Sequence, residues 1–139
     1  MPQLDLTVGQ TASRSRTVTR EDVEKYADIT GDRNPLHFDE EFAAKTTFGR
    51  RVVQGGLTSG LLNALVAEDM PGPGTVFMSM NLRFEKPVFI GDTITATAKV
   101  IELHPSKPVC TLAVTIERQD GEVVLTGTTV CYRMVPRQR

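Results

Sequence analysis

The chain predicts an α+β domain in which a curved antiparallel sheet wraps around one long buried helix. Three observations point there. Gln54 to Met70 carries Leu61, Leu62, Ala64, Leu65, Val66 and Ala67 with only Asn63 interrupting them, so a helix there should be covered nearly all round. Met70-Pro71-Gly72-Pro73-Gly74 then stops it. From Thr75 onward the apolar period becomes two, the mark of half-buried strands.

Up to about Val18 the sequence is polar, with Ser15 to Val18 expected as a short first strand. Thr19 opens a helix: Thr-Arg-Glu-Asp has the form of a capping box with a shorter acid than usual, and Val23, Tyr26, Ala27 and Thr30 follow at helical spacing. Gly31 stops that helix, which leaves Asp32 just beyond its C-terminus. Asn34-Pro35 follows, and the steric demand of proline on itself and on the residue before it bends the backbone there. Asp39 is expected to cap a second short helix through Lys45, with Phe42 and Ala43 on its inner face.

The long helix begins with Gly55, Gly56 and Gly60, each costing about 1 kcal/mol relative to alanine in a helix interior. Each buried leucine contributes about 1.5 to 3 kcal/mol, so the helix bears that loss. Something must then approach its first turns closely. Val76, Met78, Met80, Leu82 and Phe84 form the apolar face of the next strand; Ile94, Ala96, Ala98 and Val100, then Leu112, Val114 and Ile116, form those of two more. Asp120-Gly121 is a hairpin turn, and Glu122 to Val135 reads as a last strand covered on both faces. The open edges of such a sheet predict pairing with a second copy, a homodimer.

At 139 residues, with no linker or repeat, residues 1–139 form one domain. A formal net charge of -1 gives no global field for nucleic acid or an anionic membrane. The first residues lack the features of a secretion signal and no apolar run spans a bilayer, so a cytoplasmic location is expected. Cys110 and Cys131 lack metal-binding spacing, so no metal site or disulfide framework is expected and both read as small buried apolar residues. Of two histidines, His104 lies in a Leu-His-Pro turn; His37 lies five residues after Asp32, across the Asn-Pro bend. Taken singly, a loop aspartate is usually a turn residue and a lone histidine a structural one. Brought together by the bend, they form the chain's best site for proton transfer.

Tyr26 through His37, ending Thr-Gly-Asp-Arg-Asn-Pro-Leu-His, with Ala43 beyond, resembles the signature of the MaoC-like (R)-specific enoyl-CoA hydratases, the hydratase-2 family of hot-dog proteins. Leu82 to Asp92 is similar to that family's second strand and turn, and the resemblance runs roughly from Val18 to Cys131. It implies a single hot-dog domain that adds water to a trans-2-enoyl-CoA to give the (R)-3-hydroxyacyl-CoA, reversibly, with no cofactor beyond the CoA of the substrate. By position it implies that Asp32 and His37 are the catalytic pair and that the Gly55 N–H donates to the thioester carbonyl. Asn34 fixes the bend or touches substrate; Leu61, Leu65 and Val130 are core residues that also suit an acyl tunnel; Arg83, Lys86, Arg50 and Arg51 are candidates for the CoA phosphates, although each taken singly reads first as part of a solvated charged face. Two departures from the family stand out, Gln54 where many relatives have histidine and Asn63 where some have a hydroxyl residue. Three alternatives remain open: a hot-dog thioesterase, a non-catalytic acyl-CoA or acyl-carrier-protein binding subunit, and a dehydratase acting on carrier-bound acyl groups.

Overall fold

The computed structural model describes residues 4–136. Five strands, β1 (Thr11–Thr17), β2 (Thr75–Phe84), β3 (Thr93–Leu103), β4 (Val109–Arg118) and β5 (Val123–Arg133), form one antiparallel sheet in the order β1-β3-β4-β5-β2. The two strands with a free edge are therefore β1 and β2. Helices α1 (Arg20–Thr30), α2 (Pro35–Phe38), α3 (Glu40–Ala44) and α4 (Gly55–Ala64) all come from the segment between them.

The short elements follow from their caps. Thr19 accepts from the Asp22 N–H and the Asp22 carboxylate accepts from the Thr19 N–H, closing both halves of a capping box. Gly31 ends α1 at φ 81, a left-handed conformation that glycine adopts without penalty. Asp39 caps α3, whose inner residue is Ala43; Phe42, expected beside it, is exposed, because a five-residue helix buries only one side chain's width. The first strand begins four residues earlier than expected, since Ser13, Ser15 and Thr17 pair their hydroxyls with those of Thr97, Thr95 and Thr93 across to β3, a ladder that polar composition alone does not reveal.

Helix α4 packs Leu61 and Leu62 on the sheet, and a wider π-helical turn, Leu65–Asp69, continues it with Leu65 and Val66. Against them stand Ile94, Ala96, Ala98 and Val100 of β3 and Cys110, Leu112, Val114 and Ile116 of β4, all buried. The helix is less enclosed than expected: Gly55 and Asn63 are exposed. Its close neighbour is Tyr26 of α1. A Cβ on Gly56 would lie 1.7 Å from the Tyr26 hydroxyl, so α1 can press on the helix only because residue 56 is glycine.

Two strands depart from the expected pattern. A bulge between Phe77 and Ser79 shifts the parity of β2, so that Phe77 and Leu82 pack on the core while Val76, Met78, Met80 and Phe84 are exposed. On β5, Leu125, Thr129 and Cys131 face inward, but Thr126, Val130 and Tyr132 on the outer face are half-buried and Thr128 is exposed, so the sheet is covered on one face only.

Asp22 carries a testable consequence. Its carboxyl is held below the usual carboxylate range, first by its hydrogen bonds with Arg16 and further by the Thr19 backbone N–H. A depressed folded-state pKa stabilises the fold above the unfolded value of about 3.9 and stops doing so as pH falls through the folded value. Asp22→Asn is therefore expected to lower the urea midpoint at pH 7, with the gap to the parent chain narrowing below pH 4; a gap independent of pH would contradict this.

Candidate active site

The segment Gly31 to Val53 is folded so that two side chains converge. Asn34 is the cap of α2: its Oδ1 accepts from the Leu36 N–H at 3.0 Å, and Pro35 occupies the first helical position. The Asn34 N–H in turn donates to Asp32 Oδ1 at 3.2 Å, and the Asp32 N–H donates to the Thr30 hydroxyl. Asn34 itself is exposed and acts on the loop. Arg33, adjacent in sequence, turns away to Glu24 and Asp28, so it does not neutralise Asp32.

His37 is buried, and its ring is held by the backbone. Nδ1 lies 2.7 Å from the Val52 carbonyl. A carbonyl only accepts, so Nδ1 carries the proton in the neutral ring and Nε2 presents its lone pair. Nε2 lies 3.7 Å from Asp32 Oδ2. That is too long for a direct hydrogen bond and suits one shared water between them. Two more bonds clip the same strip to α2: the Val52 N–H donates to the Leu36 carbonyl at 3.0 Å, and Arg51 Nε donates to the His37 carbonyl at 2.6 Å.

A cavity of about 420 Å³ opens beside His37, lined by Val52, Gly55, Thr58, Phe84, Lys86 and Val88 among others. Gly55 begins α4, whose cap residue Gln54 makes no side-chain hydrogen bond to the helix end. The N–H groups of Gly55 and Gly56 have no acceptor among the described residues, and they stand at the positive end of the helix dipole. A Cβ at residue 55 would come within 3.2 Å of the Phe84 ring, so glycine lets that ring pack closely against the start of the helix. Gln54 is buried and turned to α1, donating to the Val23 carbonyl at 3.0 Å, and it is not among the residues lining the cavity. The exposed Asn63 is also outside the cavity lining.

The site residues expected from sequence divide accordingly. Asp32, His37, Gly55 and Lys86 lie at or beside the cavity. Leu65 is wholly buried in the core, Val130 sits on the outer face of β5, and Leu61 lines a different hollow of about 370 Å³ with Leu57, Gly60 and Ala64. Arg83 has an 80% exposed side chain 3.9 Å from Glu85, and Lys86 lies 3.4 Å from Glu122. Arg51, considered for phosphate, is engaged with the His37 carbonyl instead. Sequence did not single out Val52, because a backbone acceptor leaves no trace in residue type, nor Phe84 as a wall of the cavity, although its place on an apolar alternation was a usable signal.

The MaoC like domain model matches residues 6–121. The chain is 45% identical over 123 residues to a 3-hydroxybutyryl-CoA dehydratase of Methylorubrum extorquens, covering 88% of this chain and 78% of the relative. It is 38% identical over 130 residues to an (R)-specific enoyl-CoA hydratase of Aeromonas caviae, covering 94% and 97%. The solved structure of the (R)-hydratase from A. caviae superposes with a TM-score of 0.89 over 94% of this chain and 98% of that one. With a family model matched over most of its length and relatives aligned nearly end to end, the chain belongs to the MaoC-like domain family and has its hot-dog fold.

Proposed function

We propose that the protein is a hydro-lyase that adds water to trans-2-enoyl-CoA to give (R)-3-hydroxyacyl-CoA and catalyses the reverse dehydration. The observation that carries this reading is the 3.7 Å gap between His37 Nε2 and Asp32 Oδ2 beside a cavity that contains a helix N-terminus. The relatives named as enoyl-CoA hydratase and hydroxybutyryl-CoA dehydratase support it.

Water is a poor nucleophile, and the alkene accepts it only if electron density can move onto the thioester oxygen. A water held between Asp32 and His37 loses a proton to the pair as its oxygen bonds to C3. The thioester carbonyl takes up the displaced electrons as an enolate, received by the Gly55 N–H and the dipole of α4. The pair then returns a proton to C2 on the same face. Oxidation states balance throughout, so the reaction needs no cofactor beyond the CoA of the substrate. The two groups exchange a proton with one water and act as a coupled unit. A thioesterase reading is less well supported, since the first turns of α4, Gly55 to Gly60, carry no carboxylate to direct a hydrolytic water.

The assembly proposed is a homodimer through β2. Its exposed Val76, Met78, Met80 and Phe84 make an apolar edge, whereas β1, reading Thr-Ala-Ser-Arg-Ser-Arg-Thr, is polar.

Purified protein should consume crotonyl-CoA, seen as loss of the conjugated thioester absorbance, and form the (R) product; release of free CoA instead would overturn the assignment. Asp32→Asn and His37→Gln should each slow turnover by about a hundredfold or more, through loss of acid–base catalysis. Near-normal turnover in either variant would remove that residue from the mechanism. For the assembly, sedimentation should give a dimer for the parent chain and a monomer for Met78→Lys/Met80→Glu, and a double variant that remains dimeric would exclude the β2 edge.

A further inference from the structure

The strip that holds His37 has a second side. There, a hollow of about 200 Å³ is lined by Arg20, Glu40, Arg50, Arg51, Phe89 and Ile90. Three arginines line it against one carboxylate, on a chain of formal net charge -1. Of the three, Arg51 is committed, with Nε on the His37 carbonyl and another nitrogen 3.8 Å from Glu40. Arg20 and Arg50 are not. Neither makes an ion pair among the described residues, whereas Arg14, Arg16, Arg33, Arg83 and Arg118 each do.

Arg50 is also held in place. Its guanidinium carbon lies 3.8 Å from the centroid of the Phe89 ring, and the Phe89 N–H is itself fixed by the Asp92 carboxylate at 2.8 Å. A guanidinium stacked on a ring keeps its orientation while its N–H edge stays available, and that forked edge matches the oxygens of a phosphate. The stacked pair adds a flat surface of the kind an aromatic base lies against.

We propose that this hollow binds the phosphorylated nucleoside end of coenzyme A, with its phosphates on Arg20 and Arg50. The proposal rests on the reading that the substrate is a CoA thioester. Position supports it: Val52 and Phe89 are partners in an isolated two-residue bridge, with Val52 walling the cavity of His37 and Phe89 walling the hollow. The two spaces thus meet at this bridged pair of backbone segments, and the flexible pantetheine arm crosses it. Lys86 and Arg83, the cations nearer the cavity, each stand beside a glutamate. An acyl group on a carrier protein brings the pantetheine arm without the nucleoside, so the hollow favours free CoA thioesters over carrier-bound ones.

The test has a kinetic arm and a binding arm, on the parent chain, Arg20→Gln, Arg50→Gln and the double variant. The parent should prefer crotonyl-CoA to crotonyl-pantetheine in kcat/KM, chiefly through KM, and each variant should reduce that preference by about tenfold, the usual scale for a charged hydrogen bond. Lys99→Gln, which removes an exposed cation of β3, should leave the preference as it is. In calorimetry, adenosine 3′,5′-bisphosphate should bind the parent and bind the double variant at least tenfold more weakly. Equal bisphosphate binding by parent and double variant, or an undiminished preference, would overturn the proposal. So would a fall in kcat alike on both thioesters, which would mark the arginines as supports of the His37 strip. Bisphosphate binding lost in the double variant, with no thioester consumed by the parent, would instead refute the hydratase reading and leave the nucleotide site standing.

Discussion

The hydrogen bond from His37 Nδ1 to the Val52 carbonyl is the contact on which the rest of the site depends. It selects the tautomer whose Nε2 faces Asp32, and it does so with a backbone group that cannot rotate away. The same strip continues through Val53 and Gln54 into the first turn of α4, so the proposed acid–base pair and the free N–H groups are set by one short run of chain. Arg51 Nε on the His37 carbonyl and the Val52 N–H on the Leu36 carbonyl hold that run against α2. Moving the strip would displace both halves of the site together.

The start of α4 shows what the proposed chemistry demands of stability. Capping by a side chain typically contributes about 1 kcal/mol, and Gln54 provides none. Its amide is spent on tying α1 to the helix, and its Oε1 has no partner among the described residues. In the proposed reaction, the unsatisfied N–H groups that weaken the helix end receive charge from the substrate. Leu61, Leu62, Leu65 and Val66, all buried, outweigh that loss at about 1.5 to 3 kcal/mol each. The helix is anchored by its middle and last turns so that its first turn can stay bare.

Local chemistry was legible in the sequence, and tertiary placement was not. The Thr19 capping box, the Gly31 stop and the Asp39 cap each depend on residues within three or four positions of one another, and all three are present. The approach of Asp32 to His37 was legible for the same reason, since the Asn-Pro bend lies between them. The bulge in β2 was not, because it reflects pairing with β5, more than forty residues away, and it changed which residues of an apolar alternation face the core. Nor were the roles of Leu61, Leu65 and Val130 separable by type: the same apolar side chain serves a core, a hollow or an outer sheet face, and only the packing decides. Arg20 went unnoticed since it stands inside a capping box, and it comes to the same hollow as Arg50 only once α1 and the Phe89 turn are folded.

Phe84 links the open sheet edge to the proposed chemistry. Its ring lies over Gly55 and lines the cavity of His37, yet it is still 55% exposed at the end of β2. An aromatic ring half in water screens the Gly55 N–H poorly, because solvent reaching that group would compete with the thioester oxygen of the proposed substrate and raise the local dielectric. A second copy paired along β2 would cover the free side of the ring along with Met80, on the same face of the strand. Apolar burial that stabilises the pairing would then also dry the space above Gly55. One contact surface would serve assembly and transition-state stabilisation together, which gives a physical reason for an apolar β2 edge beside a polar β1 edge in the same sheet.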